Sequence, residues 1–389
     1  MKKIFSFIVL IALISLNMVS CGILCNNEID DYVSNNISDS NNESENKGID
    51  KDKLKIGVIQ IGDSQDKSGY VYTHDLGIEE MQQNLDIKEE QIIIKNNIAD
   101  SDKGATEKAI KECIESGCNI IFATSFGYME TINKMSEEYP NVYFSHASGD
   151  MSNGKNFNNY FGRIYQVRYL SGIAAGLKTQ TKKIGYVAAQ DNTNSEVTGG
   201  VDAFAMGVHS VNPDAEVYLK ITNSWYDPEK EREAAEQLVN ENCDVIAQHC
   251  DSSYPQTIAE NAGVYSIGYN CDMSKYAPKA TLVSVLWNWS SYYTYFVQSI
   301  IDGTWDGSDY YGGMQENLVT LSPLADFNDP SAETKIDEAK EKIISGSFNV
   351  FDGAIETNDG KIIGEDGKTL DDETIKEEIY WYFKNIKLV

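Results

Sequence analysis

Aromatic residues and short carboxamides or carboxylates recur in this sequence just after short β-branched runs. One stretch reads Ser68-Gly69-Tyr70, continuing to His74-Asp75, and another reads Thr124-Ser125-Phe126-Gly127-Tyr128. Further along come His146-Ala147-Ser148, Gln190-Asp191-Asn192 and Asn223-Ser224-Trp225-Tyr226-Asp227. The last three are Gln248-His249-Cys250-Asp251, Tyr269-Asn270-Cys271-Asp272 and Trp287-Asn288-Trp289. Rings stack on the faces of a flat ligand, while Asn and Asp read its polar edge. That chemistry is binding rather than catalysis. His74 with Asp75, or His249 with Asp251, has the residue types of a general-base pair. Neighbouring side chains on a strand or helix diverge, however, and no Gly-x-Ser-x-Gly elbow accompanies either pair.

The runs that would place these residues alternate with helical patterns. Strands are expected over 55–61, 119–123, 141–145, 183–187, 216–221, 244–247, 264–267 and 281–285. Helices are expected over 76–85, 106–116, 228–240 and 291–301, the third opening with the cap pair Asp227-Pro228. Such alternation builds parallel sheets with helices on both faces. A second round of the pattern starts at Lys182, so two Rossmann-like lobes fit better than a barrel of eight strand–helix units. Ligands of open α/β sheets sit beyond the carboxyl ends of the strands. Past Ser331 come one charged helix and a hairpin turn at Asn358-Asp359-Gly360.

The chain has 389 residues with 32 Lys+Arg against 60 Asp+Glu, a net charge of −28. This argues against nucleic acid or an anionic lipid surface as partner. The N-terminus reads as an export signal over 1–20: Met1-Lys2-Lys3, an apolar run, then Met18-Val19-Ser20-Cys21. The small residue before Cys21 makes that thiol a lipid acceptor, followed by a polar tether over 21–52. Folded structure is expected from Leu54. The cysteines lack Cys-x-x-Cys spacing, and buried free thiols are the default. Asp63 to Gly69 lacks the terminal Glu of a calcium loop. No Gly-x-Gly-x-x-Gly or phosphate loop is present, so neither metal nor cofactor is called for.

Several longer stretches are similar to the basic membrane protein (BMP) family. They are Gly69 to Gly77, Thr124-Ser125-Phe126-Gly127, Tyr160-Phe161-Gly162-Arg163 and Tyr169-Leu170-Ser171-Gly172. Lys183 to Ala189, Asn223 to Pro228, Gly268 to Met273 and Ser284 to Trp289 continue the match in order. The resemblance implies an α/β chain with a type I periplasmic-binding-protein fold, two Rossmann-like lobes joined by a multi-strand hinge. It implies one lobe over 53–168 plus 286–315 and another over 169–285 plus 316–389, with hinge crossings near 161–165 and 281–286. It further implies a monomeric, lipid-anchored substrate-binding protein in the cell envelope, serving the permease and ATPase subunits of an ABC importer.

By the same resemblance, the two aromatics that sandwich a purine in nucleoside-binding relatives match Tyr70 and Trp225. The ligand-reading acid falls on Asn270, Asp272 keeps the second acid, and a sugar-holding lysine is replaced by Trp287. The indole in place of that lysine favours a free base, adenine, over a nucleoside. The expected ligand residues are therefore Tyr70, Trp225, Trp287, Asn270, Asp272 and Asp251, with His74, Phe126 and Gln248 behind them. Purine nucleoside or riboflavin binding is the alternative within the fold. A surface sensor or adhesin, or a nucleoside-processing enzyme, is the alternative outside it.

Overall fold

The structure, a computed structural model, describes residues 48–63 and 67–389. The strands of the first half are β1 Ile56–Ile59, β2 Ile92–Lys95, β3 Ile120–Ala123, β4 Tyr143–Ala147 and β5 Phe157–Gly162. The second half has β6 Lys183–Ala188, β7 Glu216–Ile221, β8 Val245–His249, β9 Tyr265–Asn270 and β10 Thr281–Trp287. Short strands follow: β11 Tyr310–Gly312, β12 Val319–Leu321, β13 Ile355–Glu356, β14 Ile362–Ile363 and β15 Ile386–Leu388. The helices are α1 Tyr70–Leu85, α2 Lys103–Glu115, α3 Met129–Glu138, α4 Ile164–Lys178 and α5 Ser195–Val211. They continue with α6 Pro228–Asn240, α7 Tyr254–Ala262, α8 Trp289–Asp302, α9 Ala332–Ile344 and α10 Asp372–Glu377.

Two large open sheets result, which excludes the barrel. The first has the order β11-β5-β4-β3-β1-β2 and the second β12-β10-β9-β8-β6-β7-β15. Pairing is parallel except between β10 and β12. Every residue of β1, β3 and β8 is buried, as a sheet covered on both faces requires. In each sheet the strand order reverses, at β1/β3 and at β6/β8, and the two switch points open a cleft.

The chain crosses between lobes three times: at Arg163 between β5 and α4, at Asn288 between β10 and α8, and between β11 and β12. Helix α4 packs on α5 in the second lobe, and α8 packs on α1 in the first. These crossings lie a few residues from the boundaries read from the pattern, because α4 begins immediately after the strand. The ordered chain also starts before Leu54: Ile49 N–H donates to the Ile300 carbonyl (3.1 Å) and 51–53 form a 3₁₀ turn. Strand β2 went unread because it is an outer strand, only partly buried, whose Lys95 pairs with Glu112 (2.8 Å).

Local signals act as the residue types require. Asp227 accepts from Lys230 N (3.1 Å) with Pro228 in the first turn, and Asn194 caps α5 through Val197 N (3.0 Å). The turn at Asn358-Asp359-Gly360 joins β13 to β14, with Gly360 at φ +81°. Helices α4 and α5 touch backbone to backbone. A Cβ on Gly207 would stand 2.0 Å from the Tyr169 carbonyl oxygen, and one on Gly172 2.1 Å from that of Phe204. No side chain there can move aside. Gly207→Ala is expected to cost about 1–3 kcal/mol through forced helix separation. It should lower the urea midpoint with an unchanged slope; an unmoved midpoint would show that the contact is slack.

Candidate functional site

The cleft between the switch points has a volume of about 630 Å³. Tyr70, Phe126 and Phe161 enter it from the first lobe, and Glu196, Trp225, Asp251 and Tyr269 from the second. Tyr70 opens α1, directly after Gly69, whose added Cβ would meet the Asp251 carbonyl oxygen at 3.1 Å. This is where the lobes touch. Lys275 Nζ and Tyr276 O–H both donate to the Lys67 carbonyl (2.7 Å each), from the second lobe to the first.

Trp225 lies in the loop after β7, edge-on to His249 with centroids 5.9 Å apart. Its carbonyl accepts the Asp251 N–H (2.9 Å). Asn270 ends β9 at φ +68°, a left-handed position that Asn tolerates better than most residues. It is buried, and its Nδ2 donates to Asp251 Oδ1 (2.7 Å). Asn270 therefore aims Asp251, and the carboxylate faces the cleft. Phe126 is 59% exposed at the mouth.

Besides Asn270, four more expected ligand residues do not line the cleft. His74 is buried under α1, stacked on Trp289 (4.6 Å) with Nδ1 2.6 Å from the Tyr293 hydroxyl. Burial pulls its pKa down to about 3, so it is neutral. Gln248 Nε2 donates to the Cys250 and Ser252 carbonyls (3.1 and 2.9 Å) and braces that loop. Asp272 caps the 273–275 turn by accepting from Ser274 N (2.9 Å). Trp287 stacks on Trp289 (4.4 Å, 12°), and its Nε1 donates to the Tyr269 hydroxyl (3.1 Å). It stands behind Tyr269 and Phe161 rather than in the cleft wall. Strand-end position marks a region, and side-chain direction then decides which residues line the cleft. Cys21 lies outside the described residues.

Neither general-base pair forms. Asp75 accepts from Gln60 Nε2 (2.7 Å), and burial with the Arg168 charge pushes His249 well below its usual range. Cys113, Cys118, Cys243 and Cys250 are buried free thiols, and Cys271 is buried with its Sγ 3.5 Å from the Ser68 carbonyl oxygen. Among the described residues no group of three or more His, Cys, Asp or Glu is placed to hold a metal.

Glu196, Phe161, Tyr269 and Arg168 were missed. Phe161 and Tyr269 sit in motifs already singled out, and Glu196 follows Gln190-Asp191-Asn192 by one short loop. Glu196 lies in the first turn of α5 with its side chain 25% exposed. Burial raises its carboxyl to about 7, although Arg168 opposes the shift. His249 Nε2 is 3.7 Å away but neutral, so the two are not an ion pair. Arg168 is fully buried, donates to the Gln248 carbonyl (2.5 Å) and lies 4.0 Å over the Tyr269 ring. A charged residue inside the apolar face of α4 was the signal for it. At the mouth, α10 contributes Lys376 and Glu377, and Asp372 of the same helix pairs with both Nε (3.0 Å) and Nη2 of Arg163.

Two Rossmann-like lobes, three crossings and an aromatic-lined cleft define the type I periplasmic-binding-protein class. An ABC transporter solute-binding protein of Aeropyrum pernix K1 has this fold at TM-score 0.65 and 17% identity, covering 83% of this chain and 95% of its own. A transcriptional activator of the comK gene from Bacillus halodurans has it at TM-score 0.67 and 20% identity, covering 76% and 99%.

Residues 53–352 match the Bmp family, described as ABC transporter substrate-binding protein, PnrA-like, and the chain belongs to that family. A purine-binding protein of Brucella abortus (strain 2308) is 35% identical over 279 residues, 72% of this chain and 78% of that protein. A putative ABC transporter glucose-binding protein of Haloferax volcanii is 35% identical over 266 residues, 68% of this chain and 65% of that protein. The protein is thus a substrate-binding component of an ABC transporter, working outside the cytoplasm, and not an enzyme. Asp272→Ala, which removes only a cap, is expected to cost about 1 kcal/mol of stability. Ligand affinity should hold; a fall of more than about tenfold would return Asp272 to the site.

Proposed function

We propose that the cleft captures a purine as the free base, adenine, for delivery to a membrane permease. The observation that carries this is that Tyr70 and Trp225, from opposite lobes, line one cleft together with the Asn270-aimed Asp251. Flat apolar faces meet rings, and a carboxylate accepts from an amino or ring N–H on the edge. The 35% identity to a protein named as purine-binding supports the ligand class. The position of the sugar-holding lysine is taken by Trp287, whose N–H is already bonded to Tyr269. Standing behind the cleft wall with its donor already used, that indole does not replace the lysine for a sugar hydroxyl, which favours a base over a nucleoside. Lobe closure around the base excludes water and strengthens the polar contacts. Attachment through a lipid on Cys21 would keep the protein beside its permease.

The direct test is to denature the purified full chain and identify the released small molecule by mass spectrometry. Adenine supports the proposal; adenosine or a flavin keeps the family and overturns the free-base reading. Trp225→Ala should weaken adenine binding by about 1–3 kcal/mol, the usual worth of stacking a base on an aromatic ring. By isothermal titration that is a loss of about five- to 150-fold. Undiminished affinity would remove Trp225 from the site.

A further inference from the structure

Below the aromatic walls lies a polar floor that stacking and Asp251 do not use. Glu196 points into the cleft and into a tighter recess of about 150 Å³ beside it, shared with Phe161 and Ser195. Among the described residues no donor hydrogen-bonds its carboxyl, and His249 Nε2 stands 3.7 Å away. His249 is itself fully buried with neither ring nitrogen bonded, and Arg168 has Nε and Nη2 unpartnered. A partly covered acid above buried, unsatisfied polar atoms is a costly arrangement unless a ligand completes it.

We propose that Glu196 takes a proton from solvent as the ligand is captured, and that its neutral carboxyl pairs with a purine edge offering adjacent donor and acceptor atoms. The O–H donates to a ring nitrogen while the carbonyl oxygen accepts from the neighbouring amino group, as an ionised carboxylate cannot do. The inference rests on the purine reading. It makes capture proton-linked and names Glu196 as the residue that selects the edge.

The charges around Glu196 set the sign. Arg168 on α4 favours the ionised form, as does the N-terminus of α5, and Lys376 on α10 lines the same recess. Burial outweighs them and leaves the free carboxyl titrating at about 7. Asp251 after β8, Asp100 and Asp150 from the first lobe and Glu377 on α10 add negative charge to the same cleft. Tyr70, Tyr269 and Tyr311 remain neutral phenols, their pKa values raised by burial, and His249 stays uncharged. A ligand that covers the carboxyl and accepts a hydrogen bond from its O–H raises that midpoint further. Affinity is then level below about pH 7 and falls about tenfold per unit above it, until the midpoint of the complex is reached.

The test is isothermal titration of the ligand-stripped full chain with adenine from pH 6 to 8.5, a range in which adenine itself does not titrate. Affinity should drop about thirtyfold across it. At pH 7.5, buffers of different ionisation enthalpy should show net proton uptake on binding. Glu196→Gln, which holds a donor and an acceptor at every pH, should lose that dependence and vary less than about threefold. Tight binding that is flat in pH, rises with pH, or takes up no proton overturns the proposal and leaves the purine reading standing. A wild-type slope retained in Glu196→Gln overturns it as well. Adenine that fails to bind at any pH overturns both. Should the variant not fold, the wild-type proton uptake decides alone.

Discussion

A run of stacked rings across the second crossing holds the site together. Trp287 ends a strand of the second lobe and Trp289 opens a helix of the first, and their indoles lie 4.4 Å apart and nearly parallel. Trp289 stacks in turn on His74 at 4.6 Å, and His74 meets Tyr70 edge-on at 4.4 Å. The crossing strand is thereby coupled to the residue that opens α1 at the cleft. Phe161 joins the stack from the first crossing, 5.0 Å from Trp287. Residues that look like ligand contacts in the sequence thus serve as the bearing on which the contacts are mounted. Aromatic packing suits this role, since parallel rings hold an orientation while the backbone beside them turns.

The polar floor follows a different logic. In a chain carrying a charge of −28, the one arginine of α4 that is fully buried sits over Tyr269 and beneath the cleft. A buried guanidinium with a single hydrogen bond needs a nearby countercharge, and Glu196 is the acid whose titration it influences. Burial still dominates that carboxyl, so the floor is polarised without a fixed ion pair. Asp251, by contrast, accepts a hydrogen bond from Asn270 Nδ2. Two acids in one cleft therefore differ in what they offer a ligand, as their surroundings dictate.

The segment beyond the family match adds to this frame. Residues 353–389 carry the β13–β14 hairpin, α10 and β15, which pairs with β7 at the sheet edge. The Asp372–Arg163 pair fastens α10 to the first crossing, and Lys376 and Glu377 reach the cleft mouth. Lys275 and Tyr276 also donate to the Lys67 carbonyl, from the second lobe to the first. Both sets of contacts thus bear on how far the cleft opens.

Much of this was legible in the residues alone. Period and punctuation determined two rounds of strand and helix, the Asp227-Pro228 start and the Asn358-Asp359-Gly360 turn, since these depend on neighbours a few positions away. Residue type at strand ends located the cleft and named Tyr70, Phe126, Trp225 and Asp251 within it. Only the tertiary structure decided which way the remaining side chains face. His74, Gln248, Asp272 and Trp287 were turned away from the cleft because each found another partner: Tyr293, two carbonyls, a capped turn and Trp289. Glu196 and Arg168 gain their meaning from each other and from burial. Strand-end position follows from local spacing, but desolvation and long-range pairing arise only once the chain has folded.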